Sequence, residues 1–376
     1  AMRRFGIAAR PRTFTEDEAR ALITPPELTH FESLMLSFIS LVRSNQISQT
    51  ERLQRAQESR LEARSEAFVR ICGVITDAYE GHLVRAGKID FDTMIKSATE
   101  LLEGDDLSLR YSHILIDEAQ DLSLGRTKFL RALRGADAKL FAVGDDWQSI
   151  MRFTGVDLTY TLHFAEHFGF TTRTALDRSF RFGPELSAAT SKFVTQNPAQ
   201  IVKEVDGEPT QHLDRPIKIY RVAGEQEAWV KVQDRLDELA ERNKEWRGEH
   251  PMKVAVLMRY NFECKELKKV LRVPKELNVS VKTVHKSKGE EYDEVIVRMP
   301  RDSQPPFGRR GFPSVQQDDP LLKLVLAKPE PFAHAEERRL FYVAMTRSRN
   351  GVDIIADKRL SPFVDELMSP SYQTWV

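Results

Sequence analysis

The chain has 376 residues, with 56 basic and 56 acidic side chains, so no globally basic surface announces nucleic acid and any such binding must use a local groove. The length suits two or three domains with sizeable cores. No run of about 18 apolar residues exists and the N-terminal stretch has no apolar core, so neither a membrane span nor a secretory signal is expected. Cys72 and Cys264 stand alone without a CxxC partner, which excludes a disulfide framework and a cysteine zinc site. They point to a reducing compartment, the cytoplasm by default.

In chain order, residues 13–110 read as helical: "TEDEARAL", "ELTHFESLMLSFISLVRS", "RSEAFVRICGVITDAYEGHLVRAG" and "DFDTMIKSATELLEG", with apolar residues recurring at three and four. The charged "QTERLQRAQESRLEARSE" reads as a solvated helix face or linker. From residue 113 short apolar strands ("ILI", "KLFAVG", "IKIYRV", "KVAVLM", "SVKTV", "EVIVRM", "GVDIIA") alternate with helical segments, the pattern of a parallel sheet covered by helices. A proline-bearing break at 196–216 suits an interdomain connection, and 300–334, with seven prolines, reads as a surface insertion.

Five stretches carry candidate chemistry. "ILIDEAQD" ends an apolar strand on Asp117 and Glu118, an arrangement that can hold magnesium and polarise a water, or can be an acidic surface turn. "LFAVGDDWQSIMRFTGVD" repeats strand, glycine turn and carboxylates, and adds Gln148, which can read a terminal phosphate. In "ALDRSFRFGPEL", Phe180 and Arg181 offer a stacking face and a phosphate clamp, against the alternative of a core ring beside a surface charge. "VKTVHKSKGEEYDEVIV" puts His285, Lys286, Lys288 and Gly289 in a loop between strands, where amides and charges can meet an anion. "AEERRLFYVAMTRSRN" is a charged helix with Arg347 near its end, either an arginine finger or one side of an ordinary amphipathic helix.

Taken together and in this order, these motifs resemble the superfamily 1 DNA helicases of the UvrD/Rep/PcrA type. The likeness is strongest to bacterial helicase IV, through "FAVGDDWQSI", "FRF", "QNP" and "EERRLFYVAMTR", and covers about residues 88–376. The resemblance implies an α/β fold of RecA-like parallel sheets covered by helices (the P-loop NTPase type), with a helical N-terminal region. It implies a helical part over 1–87, a first RecA-like domain over 88–200 and a second over 201–376. The implied activity is ATP-driven movement on single-stranded DNA, generally 3′ to 5′, with ATP and Mg2+ as cofactors and no zinc. By resemblance, Asp117 holds magnesium, Glu118 activates water and Gln148 senses the γ-phosphate. Arg181 and Arg347 contact phosphate, and both are expected to face a cleft rather than a core. Phe180 takes the place of an adenine-stacking tyrosine, and Glu291 that of a glutamate near the ribose. Phe153, Met151 and His285 fall in DNA-facing motifs.

Met151 stands where the family has tyrosine and Thr154 where it has arginine. Too few residues separate Arg181 from Thr283 for the large inserted domain of the UvrD type. The Walker A string GxxxxGK[ST] is absent; "GHLVRAGKID" has five residues between its glycines and Ile89 where a hydroxyl belongs. The expectation is therefore a fragment with an incomplete first RecA-like domain, needing the missing segment from its parent protein or in trans, and inactive on ATP alone. The alternative is a non-catalytic nucleic-acid or protein-binding module derived from a helicase. A first domain without its phosphate-loop strand should leave the strand over 114–116 with an open edge, to be covered by residues 1–15 or by self-association.

Overall fold

The computed structural model describes residues 25–104, 111–134, 138–208, 216–245, 250–299, 319–358, 361–369 and 372. The expected helix over "TEDEARAL" and the proposed cover from residues 1–15 lie outside these. The chain divides into two compact units. The first takes residues up to Gly144, Met151–Gly169 and Gln317–Pro329; the second takes Asp145–Ile150, Phe170–Gln316 and Glu330–Val376.

The first unit opens with four helices, α1 (Pro25–Ser44), α2 (Gln49–Gln57), α3 (Glu62–Arg85) and α4 (Phe91–Glu103). Ser48 and Asp90 cap α2 and α4 by accepting the amides of Glu51 and Thr93. The apolar spacing seen in the sequence buries Phe38, Leu41 and Val42 of α1 against Phe68, Val69 and Cys72 of α3, with Phe38 and Phe68 edge to face at 5.2 Å. Arg43 ties three helices together, donating to Glu80 at 2.6 Å and to both oxygens of Asp90 at 2.9 Å. Burial alone would raise the Asp90 carboxyl, but hydrogen bonds from Thr93, Tyr79 and Arg43 outweigh it and hold the group at about 2.

Two short strands follow, β1 (His113–Ile116) and β2 (Lys139–Ala142), paired in parallel and joined through α5 (Leu124–Leu133). Among the described residues β1 pairs with β2 alone. Leu115 and Phe141 are register partners on one face, 75% and 62% exposed, whereas Ile114 on the other face is buried. Parallel strands are ordinarily covered on both faces, so this is an apolar surface of unusual exposure. Helices α6 (Thr159–Leu162) and α7 (Phe164–Phe168) complete the unit.

The expected surface insertion at 300–334 is corrected in part. Residues 300–318 lie outside the described set, but Leu321, Leu324, Val325 and Leu326 are buried in the same cluster as Phe38. Asn45 donates to the Val325 carbonyl at 3.2 Å and Arg55 to that of Leu324 at 2.8 Å. Prolines signalled irregular backbone correctly; they carry no information about burial.

The second unit holds α8 (Pro184–Val194), β3 (Ile217–Val222), α9 (Glu225–Glu245), β4 (Met252–Met258), α10 (Asn261–Val270), β5 (Leu277–Thr283), β6 (Tyr292–Met299), α11 (Ala335–Thr346), β7 (Ser348–Asp357) and α12 (Pro362–Leu367). Its five strands form one all-parallel sheet in the order β3-β7-β6-β4-β5. Val254, Val256, Ile296 and Ile355 pack against Val232, Leu236 and Leu239 of α9 and Leu267 of α10. Their strand neighbours Ala255, Leu257, Val295 and Ile354 are equally buried, which is why these strands read as continuous apolar runs. Phe193 of α8, Phe341 of α11 and Phe363 of α12 form an aromatic cluster, with centroids 5.3–6.0 Å apart. The fold class is thus the expected one, α/β with parallel sheets, helical cover and a helical N-terminal region. Residues 196–208 pack into the second unit.

Candidate functional site

In the first unit Asp117 and Glu118 sit at the carboxyl end of β1, both exposed, where ligands bind in open α/β sheets. The turn that presents them is strained. Glu118 adopts φ +52°, a left-handed conformation unusual for a side-chain-bearing residue, and its amide donates to Asp117 Oδ1 at 2.9 Å. Ala119 donates to the Val143 carbonyl at 2.9 Å, and Gln120 donates its side-chain amide to Glu118. Gly144 is demanded here by close approach: a Cβ would lie 2.7 Å from Gln120 Oε1 and 3.1 Å from the amides of Ala119 and Gln120. Two adjacent exposed carboxylates are hard oxygen donors of the kind Mg2+ accepts while keeping most of its waters. No group of three or more metal-ligating side chains exists among the described residues.

Met151 and Phe153 also belong to the first unit, Met151 half-buried and Phe153 56% exposed. The short turn Arg152–Thr154 is fixed by two hydrogen bonds from the Arg152 guanidinium to the Ala327 carbonyl, at 3.2 and 2.9 Å. Thr154, in the arginine position, donates to the Met151 carbonyl at 2.8 Å.

The remaining residues lie in the second unit, and two pairs are brought together. Arg347, at the end of α11, donates Nη2 to Gln148 Oε1 at 2.7 Å and Nη1 to the Glu290 carbonyl at 3.2 Å. Gln148 in turn donates Nε2 to Asp145 Oδ2 at 2.7 Å, and Lys203 reaches Asp145 at 2.5 Å and Asp146 at 3.0 Å. Asp146 is buried, which raises its carboxyl, against the charge and hydrogen bond of Lys203 and the Ile201 amide. Trp147, wholly buried, donates Nε1 to the Ile201 carbonyl at 3.1 Å and packs edge to face with Tyr342. Asp145–Ile150 is therefore a rigid, internally bonded segment whose amide side chain meets a guanidinium 199 residues later.

The second pair is Arg181 and Glu291, 3.3 Å apart; Arg181 also donates to the Thr346 carbonyl at 3.2 Å. A hydrogen bond from Arg349, ahead of the lesser contribution of Arg181, holds the Glu291 carboxyl below its usual range. Phe180 is 71% exposed, with the Arg178 guanidinium 4.9 Å from its ring centre. His285 is half-buried beside Arg259; burial first, and then that charge, push its imidazole down to about 4, so it is neutral near pH 7.

One expectation is corrected. Arg347 does not project from the surface of its unit: it is 1% exposed, whereas the Arg181 side chain is 30% exposed. Of the other arginines in this helix, Arg338 pairs with Glu366 and lies over the Phe193 ring, and Arg339 pairs with Glu330. These are packing roles. Sequence reading missed Lys203, whose carboxylate partners are 58 and 57 residues away, and Arg349, whose partner is 58 away, at no helical or strand spacing.

Comparison with known proteins accords with this order of motifs. Residues 11–169 match the profile of the UvrD/REP helicase N-terminal domain, and residues 272–359 that of the UvrD-like helicase C-terminal domain. The chain belongs to the UvrD/REP helicases. DNA helicase IV of Escherichia coli K12 is 31% identical over 335 residues, 88% of this chain and 46% of that protein. A putative ATP-dependent DNA helicase, YjcD, of Bacillus subtilis 168 is 28% identical over 49% of the chain and 24% of its own length. DNA helicase II of Haemophilus influenzae is 27% identical over 44% of the chain, again 24% of its own length. This UvrD/REP chain thus spans just under half of the helicase IV it matches. No helix among its described residues is long and apolar enough to cross a membrane.

Proposed function

We propose that this chain is part of an ATP-driven motor that moves on single-stranded DNA, 3′ to 5′. The observation that carries the reading is the bonded series Arg347–Gln148–Asp145–Lys203. It couples a guanidinium to an amide that could report on a terminal phosphate. In this reading Asp117 would hold Mg2+, which would supply positive charge against that of the phosphates. Glu118, set by its left-handed turn, accepts a proton from the attacking water. Arg181 contacts phosphate oxygens, Arg347 holds the Gln148 amide in place, Phe180 stacks the adenine and Glu291 meets the ribose. Phe153 and Met151 face the DNA bases; His285, uncharged, contacts DNA by hydrogen bonding rather than as a cation. Domains over 1–87, 88–200 and 201–376 are the corresponding proposal for the parent protein.

The sequence contains no GxxxxGK[ST] string, so we propose that the phosphate cradle comes from the parent protein or in trans. DNA-stimulated ATP hydrolysis measures this. The purified 376-residue chain should turn over ATP at background, and the full-length parent should turn over robustly. In the parent, Glu118→Gln and Arg181→Ala should each lower turnover by roughly 10³-fold. Robust hydrolysis by the chain alone, abolished by Glu118→Gln, would refute the need for a separate cradle.

A further inference from the structure

Among the described residues, the second unit has an open sheet edge with a shaped groove along it. β5 is the terminal strand of the order β3-β7-β6-β4-β5, and among the described residues it pairs with β4 alone, in unbroken register from Met252↔Leu277 to Met258↔Thr283. A groove of about 350 Å3 is lined by Lys268, Leu271, Val273 and four consecutive strand residues, Val279 to Lys282. Side chains alternate between sheet faces, so consecutive residues can line one space only along the strand's free edge. There the outward amides and carbonyls of β5 are unpaired by sheet, a template for another strand.

Natural edges are usually blunted by a bulge, a proline or a projecting lysine. Here the strand has no bulge, and Pro274 lies in the preceding loop. Lys282, the one lysine on the strand, is drawn aside to Glu290 at 2.7 Å and over the Tyr292 ring. The floor is aliphatic, with Leu271 and Val279 half-buried and Val273 54% exposed, and Val270 on the same helix end is 59% exposed. The loop that forms one wall is fixed in advance. Gln233 and Arg272 exchange hydrogen bonds at 2.9 Å each, and Asn243 donates to the Glu276 carbonyl at 2.8 Å.

The charge of the rim selects the occupant. Residues 265–276, "KELKKVLRVPKE", beside the groove, carry Lys265, Lys268, Lys269, Arg272 and Lys275 against Glu266 and Glu276, and of these Lys268 lines the groove. Lysines in the last turn of α10 would suit the helix dipole by themselves, but Arg272, Lys275 and the exposed Val273 lie beyond the helix. A nucleic-acid strand would want aromatic faces to stack on, and the floor supplies aliphatic ones with a row of backbone groups. We propose that the β5 edge docks an extended segment of a partner protein that alternates aliphatic with acidic residues, adding a strand to the sheet. The proposal is independent of the ATP-driven reading above.

The test uses the full chain and a fluorescent, end-blocked decapeptide alternating valine with glutamate. Saturable binding by polarisation is expected, with hydrogen exchange slowed at the amides of residues 278–282. Val273→Asp and Lys268→Glu, both at exposed positions, should each weaken binding roughly tenfold with unchanged melting. A decapeptide N-methylated on every second residue, made in both registers, should lose binding in the register that blocks pairing. Absence of binding, equal binding of both N-methylated peptides, or unchanged exchange on β5 would each overturn the proposal. So would competition by an oligothymidylate whose own binding is weakened by the same two substitutions, which would make the edge a nucleic-acid contact.

Discussion

Arg347→Ala separates a buried structural guanidinium from a mobile one. Nη2 to Gln148 Oε1 at 2.7 Å and Nη1 to the Glu290 carbonyl at 3.2 Å are the well-formed bonds; Nε to the Val343 carbonyl, at 3.4 Å, is too long to count for much. A hydrogen bond with one charged partner contributes about 1.5–3 kcal/mol, so two correspond to about 3–6 kcal/mol. Relief from burying the guanidinium offsets part of this, leaving a loss of about 2–4 kcal/mol. Arg181→Ala is the control. Its side chain is 30% exposed and its partner Glu291 keeps Arg349, so only the 3.2 Å bond to the Thr346 carbonyl is lost outright and the loss should be about half that of Arg347→Ala. Urea unfolding of the chain measures both. A cycle with Gln148→Ala should return a coupling of about 1–2 kcal/mol. If Arg347→Ala costs no more than Arg181→Ala, or the coupling is zero, the guanidinium is not held as described and the expectation of an arginine facing a cleft stands.

Gly144→Ala should destabilise by about 1–3 kcal/mol, because its Cβ would press on Gln120 and on the turn bearing Glu118; an unchanged melting temperature would show that the turn yields freely. His285 has its folded pKa lowered from 6.5 to about 4, so the unfolded chain binds the proton more tightly and stability falls as pH drops from about 6.5 to 4. The loss should total about 2–3 kcal/mol and vanish in His285→Gln, with Glu294, raised to about 6 by burial, acting in the opposite sense over pH 6 to 4.5; a pH profile identical in both proteins would refute it. Phe153→Ala should weaken single-stranded DNA binding by about 1–3 kcal/mol in anisotropy at fixed salt, and unchanged affinity would take this turn out of the DNA path.

Local pattern alone announced the seven strands and three of the four N-terminal helices that the structure describes, α2 having read as a helix face or linker, because periodicity and apolar runs are set by which faces an element buries. It also placed Asp117 and Glu118 at the end of a strand, since an apolar run that stops on two carboxylates marks where the chain leaves the sheet. What it could not reach were partnerships across long stretches of chain. Nothing local says that Lys203 bridges Asp145 and Asp146, that Arg349 shares Glu291 with Arg181, or that Leu321–Leu326 enters the core of the helical unit. Arg347 shows the division most sharply. Its residue type and motif were visible in the sequence, but its burial was not. Whether a guanidinium projects into water or lies among carbonyls depends on which backbone the fold brings within hydrogen-bond reach of it, and that is decided only when the helix packs.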